Sequence, residues 1–278
     1  MTNSKERANI AQQTLQILEQ GRYQNRLGED VPVDVADAKA NTIHYTAQQL
    51  DALRQSVVLN RRFATRFEVN NESTLAAARR LSEAGHGDPL CLNFASAKNP
   101  GGGFLGGAEA QEENLAKSSG LYPCIVQKTA FYEGNRALRS CLYNDDMIYS
   151  PRVPVFRDDR YALIDRPFAA SMITAPAVNR GALANNEPER LGEIEDVMHR
   201  RVDKLLSVAT AHGHTVLVLG AWGCGVFRNR PEDMARWFAA QLLDGGRYSG
   251  VFELVSFAVL DRKDDGTFAA FNRVFGAD

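Results

Sequence analysis

Two segments of this chain follow the same plan: an apolar run, then a glycine-rich loop, then a helix-favouring run. Pro89–Ala95 leads through Asn99-Pro-Gly-Gly-Gly103 to Ala110–Lys117, and Thr215–Leu219 leads through Gly220-Ala-Trp-Gly-Cys-Gly-Val-Phe227 to Glu232–Leu243. Buried strands that turn through glycines into helices confine the chain to an α/β architecture whose loops gather at one edge of a sheet. Each loop exposes backbone N–H groups at a helix N-terminus, where the helix dipole favours an anion. A lone glycine-rich turn is most often only a turn. Two that face each other across a cleft suit a diphosphate, with main-chain donors replacing the cationic clamp the sequence lacks.

The rest of the chain fits that frame. A helix is expected over residues 4–20, stopped by Gly21, and a second over about 46–56, with no clear period between 22 and 45. Residues 1–60 read as a helical or irregular extension, and 61–278 as the main domain. Phe67–Val69 reads as a strand, and Asn70 or Asn71 as the cap of a helix over Ser73–Ala84. Met147–Ser150, Val153–Phe156, Ser171–Ala175 and Val251–Leu260 are strand candidates. Residues 187–211 have the spacing of one long amphipathic helix, and Phe268, Phe271 and Phe275 that of a closing one. Asn229 and Pro231 are placed at the start of the helix after the second loop.

Composition removes several function classes. The 278 residues carry a formal net charge of −2, which gives no overall field for nucleic acid. No apolar run reaches the roughly 20 residues that span a bilayer. The N-terminal sequence has no apolar signal core, so a cytoplasmic, monomeric protein without a membrane partner is expected. Cys91, Cys124, Cys141 and Cys224 lack metal-ligand spacing, and His212-Gly-His214 has no third ligand nearby in sequence. That pair is read as cations favourably placed at a helix C-terminus. Neither a metal nor a cofactor is expected.

Glu112 and Glu113 need a separate reason to stand beside a phosphate loop. Acidic residues in the first turn of a helix complement its dipole without any catalytic role. Acid/base work on a phosphate-bearing substrate is the other reading. A nicotinamide-type fold is weak: Gly101, Gly103 and Gly106 fit G-x-G-x-x-G, but no acidic residue ends the next apolar run, Tyr122–Val126, about 20 residues on.

Gly101-Gly102-Gly103, seven residues, then Gln111-Glu112-Glu113 resembles the signature of poly(ADP-ribose) glycohydrolases, a catalytic branch of the macrodomain superfamily, here in its compact bacterial form. Trp222–Phe227 is similar to that family's second ligand loop, and Asn99 sits where macrodomains place a ribose-binding asparagine. The resemblance runs from about Glu68 to the C-terminus. It implies a three-layer α/β/α fold with a mixed central sheet, poly(ADP-ribose) and ADP-ribosylated proteins as partners, and ADP-ribose as product.

The same resemblance implies that Glu113 is the acid/base and that Glu112 orients ribose hydroxyls. Adjacent helical residues point about 100° apart, so the two are poorly placed to flank one bond as a conventional glycosidase pair. Asn99 would hold the sugar, and Gln111 would belong to the substrate site. Gly101, Gly102, Gly103, Gly223 and Gly225 would allow close backbone approach, with the N–H groups of Val226 and Phe227 on the diphosphate. The Phe227 ring either packs on the ligand or belongs to the core. Phe268 or Phe271 would stack on adenine. A non-catalytic ADP-ribose reader and a hydrolase of mono-ADP-ribosyl adducts stay open as alternatives.

Overall fold

The computed structural model describes residues 3–276. Its elements are, in chain order, α1 (Ser4–Gln20), β1 (Arg22–Gln24), β2 (Asp30–Pro32), α2 (Ala36–Ala40), β3 (Ile43–Tyr45), α3 (Ala47–Ser56), β4 (Arg66–Asn70), α4 (Thr74–Glu83) and β5 (Leu90–Phe94). A 3₁₀ turn at Phe104–Gly106 precedes α5 (Gln111–Ser118), α6 (Leu121–Val126), α7 (Thr129–Ala137), β6 (Met147–Arg157), β7 (Leu163–Ala175) and α8 (Arg180–Asn186). A second 3₁₀ stretch, Pro188–Glu193, leads to α9 (Ile194–Ala211), β8 (Val216–Leu219), α10 (Pro231–Leu242), β9 (Leu254–Ala258) and α11 (Thr267–Phe275).

Seven strands form one mixed sheet in the order β3-β6-β7-β5-β8-β9-β4. The five from β7 to β4 run parallel, and β6 and β3 are added antiparallel at one edge. Successive side chains of a strand point to opposite faces, and the core divides accordingly. Leu90, Leu92, Leu217, Leu219, Val255 and Phe257 pack with α3, α9, α10 and α11. Cys91, Val216, Val218 and Leu254 pack with α4, α5, α6 and α7 on the other side. The result is the three-layer α/β/α arrangement. Among the described residues, no helix is long and apolar enough to cross a membrane.

Central position explains where the two glycine loops meet. β5 and β8 are parallel neighbours, so the loops leaving their C-terminal ends emerge side by side. Pairing between them covers only Leu90–Leu217 and Cys91–Val218. Beyond Cys91 the two strands part, and a cleft opens between their loops.

Several local expectations change. Residues 22–45 are ordered: they form the β1–β2 hairpin, α2 and β3, whose Tyr45 pairs with Met147 in the main sheet. β6 is one strand rather than two. It absorbs Pro151 and Pro154 through a register shift between Ser150 and Val153, with Arg152 at a positive φ of 46°. Tyr122–Val126 lies in α6, with Pro123 in the first turn, where no N–H is needed. The helix expected from 187 begins as the 3₁₀ stretch opened by Pro188, and α9 starts at Ile194. The strand expected at 251–260 is confined to Leu254–Ala258.

Three polar assignments also shift. Ser73, not an asparagine, caps α4, accepting from Ala76 N–H at 3.1 Å. Asn229 does not cap α10: its amide donates to the Val178 carbonyl at 2.8 Å from inside the core. His212 and His214 are hydrogen-bonded to the Tyr45 and Tyr149 hydroxyls at 2.9 and 2.8 Å. Burial holds the His212 imidazole down at about 4, so it is neutral rather than a cation at the helix end.

The segment between α7 and β6 is fixed to α9 by a buried charge hub. Asp145 accepts from Arg200 at 2.5 Å, Arg201 at 2.9 Å and Lys204 at 3.0 Å, while Arg201 also donates to the carbonyls of Pro176, Leu142 and Tyr143. Burial pushes the Asp145 carboxyl up, but its three cations outweigh that and hold it down at about 2. Removing one member leaves buried charge without a partner. Asp145→Ala should lower the unfolding free energy by about 3–5 kcal/mol in urea titration, whereas Glu83→Ala, which breaks the exposed Arg79–Glu83 pair, should change it by less than about 1 kcal/mol.

Candidate active site

A cavity of about 740 Å³ lies over the C-terminal ends of β5, β8 and β9. Its lining joins both glycine loops, the start of α5, the start of α4 and the loop after β9. Among the described residues, seven acidic side chains line it (Glu72, Glu109, Glu112, Glu113, Asp159, Asp261, Asp265) against two basic ones, Arg262 and Lys263. With that balance an anionic ligand must be held chiefly by backbone donors.

The first loop serves the carboxylates. Gly102 N–H donates to the Asn99 carbonyl at 3.0 Å, and Gly103 N–H donates to Glu113 Oε1 at 2.9 Å. Gly102, at φ +60°, lies so close to Glu113 that an added Cβ would stand 2.3 Å from Oε1. Only glycine admits the Glu113 carboxylate there. Gly101 does not line the cavity: it is buried, and a Cβ on it would meet the rings of Phe104 and Tyr122. The N–H groups of Gly102 and Gly103 therefore already have protein acceptors, unlike the free phosphate donors expected of this loop.

Glu112 and Glu113 have opposite surroundings although they are adjacent. Glu112 is 3% exposed, with Oε2 accepting from Ser96 N–H at 2.6 Å and Oε1 from the Asn93 amide at 3.3 Å. Burial pushes its carboxyl up to about 8, with Glu113 adding to the rise and the Ser96, Asn93 and Gly101 donors opposing it. Glu113 is half-buried at the cavity wall, and among the described residues no donor reaches its Oε2.

Gln111 lines the cavity, yet its amide is committed to the fold. Its Oε1 accepts from Phe94 N–H at 2.8 Å, and its Nε2 donates to the Leu92 carbonyl at 2.8 Å and the Thr74 hydroxyl at 3.0 Å. It fills the place along β5 that β8 vacates, and so fixes the first turn of α5 against the strand. Asn99 is exposed at the rim, its N–H held by the Ser96 hydroxyl at 3.2 Å.

The second loop carries the free donors. Among the described residues, the N–H groups of Gly225, Val226 and Phe227 meet no protein acceptor, and all three residues line the cavity. Gly223 lines it too, with Asn229 N–H bound to its carbonyl at 3.0 Å. Consecutive unpaired N–H groups form an anion-binding concavity. Phe227 packs near Tyr143, ring centroids 6.0 Å apart, and accepts on its carbonyl from Gly181 N–H.

Among the described residues, three aromatic ones line the cavity: Phe94, Trp222 and Phe227. Phe268 is not among the lining residues. It packs against the core, as does the fully buried Phe271, so neither stands where an adenine stack was expected. The sequence placed Trp222 in the second loop but not its anchoring role, which is tertiary: its indole N–H donates to the Ala175 carbonyl at 3.0 Å and ties the loop to β7. Asn93, which holds Glu112, is one of the alternating positions of β5. A polar residue inside an otherwise apolar strand was the available signal.

Comparison with known proteins places this geometry. The family model described as the catalytic domain of microbial-type PARG matches residues 11–158. No curated protein matches the chain. Among solved structures, poly(ADP-ribose) glycohydrolase (PARG) from Thermomonospora curvata is 47% identical, with 98% of this chain and 100% of that chain covered and a TM-score of 0.94. The same enzyme bound to the inhibitor ADP-HPD is 47% identical over 97% and 99%, with a TM-score of 0.90. The Deinococcus radiodurans enzyme in complex with ADP-ribose is 48% identical over 86% and 96%, with a TM-score of 0.81. With a two-loop cavity, a glycine-held carboxylate pair and these likenesses together, the chain belongs to the microbial-type poly(ADP-ribose) glycohydrolases.

Proposed function

We propose that this chain hydrolyses the ribose–ribose O-glycosidic bonds of poly(ADP-ribose) and releases ADP-ribose, with Glu113 moving the protons. One observation carries the assignment within the site. Glu112 is nearly buried, with Asn93 and Ser96 donating to its two oxygens, whereas Glu113 faces the cavity with one oxygen fixed by Gly103 N–H and, among the described residues, no donor on the other.

The diphosphate rests on the N–H groups of Gly225, Val226 and Phe227, and the ribose next to the cleaved bond lies between Asn99 and the two glutamates. Glu113 gives its proton to the leaving 2′-oxygen as the bond from that oxygen to the anomeric carbon breaks. The cation-like sugar is stabilised by the carboxylate left behind and by the diphosphate's own charge. Water then attacks the anomeric carbon and returns a proton to Glu113, leaving ADP-ribose and a chain shortened by one unit. Glu112, which burial keeps protonated through neutral pH, donates to a ribose hydroxyl and orients it. The carboxylates of Glu72, Asp159 and Asp261, which also line the cavity, suit the amino and hydroxyl donors of adenosine.

Glu113→Ala should lower poly(ADP-ribose) cleavage by roughly 10²–10⁴-fold while calorimetry still finds ADP-ribose bound within a few-fold of wild type. Cleavage at the wild-type rate by that variant would remove Glu113 from the mechanism.

Glu112 also sets a pH dependence of stability. Its folded carboxyl titrates near 8 against an ordinary value of 4.5, so the folded state keeps a proton that the unfolded chain loses between those values. Its contribution is complete below about pH 4.5 and is lost as pH rises through 8. Relative to wild type, Glu112→Gln should gain on the order of a few kcal/mol in unfolding free energy between about pH 5 and pH 8.5. Parallel stability profiles for the two proteins would show that Glu112 is ionised in the fold.

A further inference from the structure

The segment that joins the glycine loop to the glutamates, Gly106–Glu109, is gripped from two sides by cations outside the signature. From α1, the Ser4 hydroxyl donates to the Gly106 carbonyl at 3.1 Å, and Arg7 Nε donates to the Gly107 carbonyl at 2.8 Å. The same Arg7 nitrogen stands 3.0 Å from Glu109 Oε2. The fit is close: a Cβ on Gly107, at φ +77°, would lie 1.9 Å from the Ser4 carbonyl oxygen.

From α5, Lys117 reaches back to the same segment. It is fully buried, and its Nζ donates to the Ala108 carbonyl at 3.0 Å while lying 4.7 Å over the Tyr161 ring. The Tyr161 hydroxyl in turn donates to Glu109 Oε1 at 3.2 Å. Lys117 is four residues past Glu113, on the same face of the helix.

These contacts close a ring that ends on the proposed acid. Lys117 Nζ holds the Ala108 carbonyl, Ala108 N–H holds the Gly103 carbonyl at 3.2 Å, and Gly103 N–H holds Glu113 Oε1 at 2.9 Å. Helix α5 then carries the chain from Glu113 back to Lys117. The far half of α1 is fastened too, through the Thr14 hydroxyl to the Lys117 carbonyl at 2.5 Å and through Arg157 to Thr14 at 3.2 Å. Ala11 and Leu15 of α1 pack with Phe104 and Ala116, which flank the glutamates in sequence.

We infer that Arg7 and Lys117 are positioning residues for Glu113, and that helix α1 is thereby a working part of the active site rather than an appendage. Neither cation lines the cavity, so both act through the Gly103–Ala108 loop. Loss of either lets Gly103 N–H drift from Glu113 and leaves the second loop, where the diphosphate donors are, in place. Rate should therefore suffer and binding should not. The inference rests on Glu113 being the acid/base.

The test compares wild type, Arg7→Ala, Arg7→Lys and Lys117→Met by steady-state cleavage of poly(ADP-ribose), ADP-ribose calorimetry and thermal unfolding. Arg7→Ala and Lys117→Met should lose roughly tenfold or more in kcat, with KM and ADP-ribose affinity within about twofold of wild type. Arg7→Lys, which keeps a donor and the charge, should recover most of that loss. Should Lys117→Met fail to fold, the Arg7 pair on the exterior helix decides alone. An unchanged kcat for Arg7→Ala would overturn the inference, as would a loss matched by weaker ADP-ribose binding or left unrescued by lysine. Absence of cleavage by the wild type itself would instead strike the functional assignment.

Discussion

One hydrogen bond organises the active end of this molecule: Gly103 N–H to Glu113 Oε1, at 2.9 Å. Both glutamates stand in the first turn of a helix, where the dipole stabilises an acid without giving it chemistry. The Gly103 bond fixes Glu113 at the cavity wall, while burial and the Ser96 and Asn93 donors set Glu112 apart beneath the loop. Gly102 makes this possible because a side chain there would occupy the space of the Glu113 carboxylate. The triple glycine is thus a device for sorting carboxylates, and its phosphate-loop appearance is secondary.

Among the described residues the unpaired N–H groups of the cavity belong to the other loop, and sheet order brings the two loops together. β5 and β8 are neighbours, so one delivers the carboxylates and the other delivers free N–H groups to the same cleft. Their early divergence after Cys91 and Val218 opens the space, and Gln111 supplies the hydrogen bonds that β5 would otherwise lack. Trp222 and Asn229 brace the second loop from beneath, against Ala175 and Val178. Among the described residues, seven acidic and two basic side chains line the cavity, so the proposed diphosphate site depends on these backbone donors.

Much of this was legible in the sequence, and the boundary is physical. The strand–glycine–helix units are local patterns, so β5, β8, α5 and α10 could be read from periodicity and punctuation. The spacing from Gly103 to Gln111 carried the family resemblance. What was missed depends on contacts between distant residues. β3 is three residues long and exists because Tyr45 finds Met147 across the sheet, a pairing that no local pattern encodes. Gln111 looked like a substrate ligand until its amide was found bound to β5 on both sides. Phe268 and Phe271 followed the helical spacing of core residues, and core is where they lie. The helix over 4–20 and its stop at Gly21 were legible, but the Asn3 cap and the reach of Arg7 to Gly107 were not.

The proposed function divides proton transfer and diphosphate binding between the two loops, and a crystal structure of this protein with ADP-ribose tests that division most directly. The diphosphate oxygens should lie within hydrogen-bond distance, about 3 Å, of the N–H groups of Gly225, Val226 and Phe227, with Glu113 the carboxylate nearest the anomeric carbon and Gly103 N–H still bound to it. A diphosphate seated instead on the N–H groups of Gly101–Gly103, with Glu112 nearest the anomeric carbon, would contradict it.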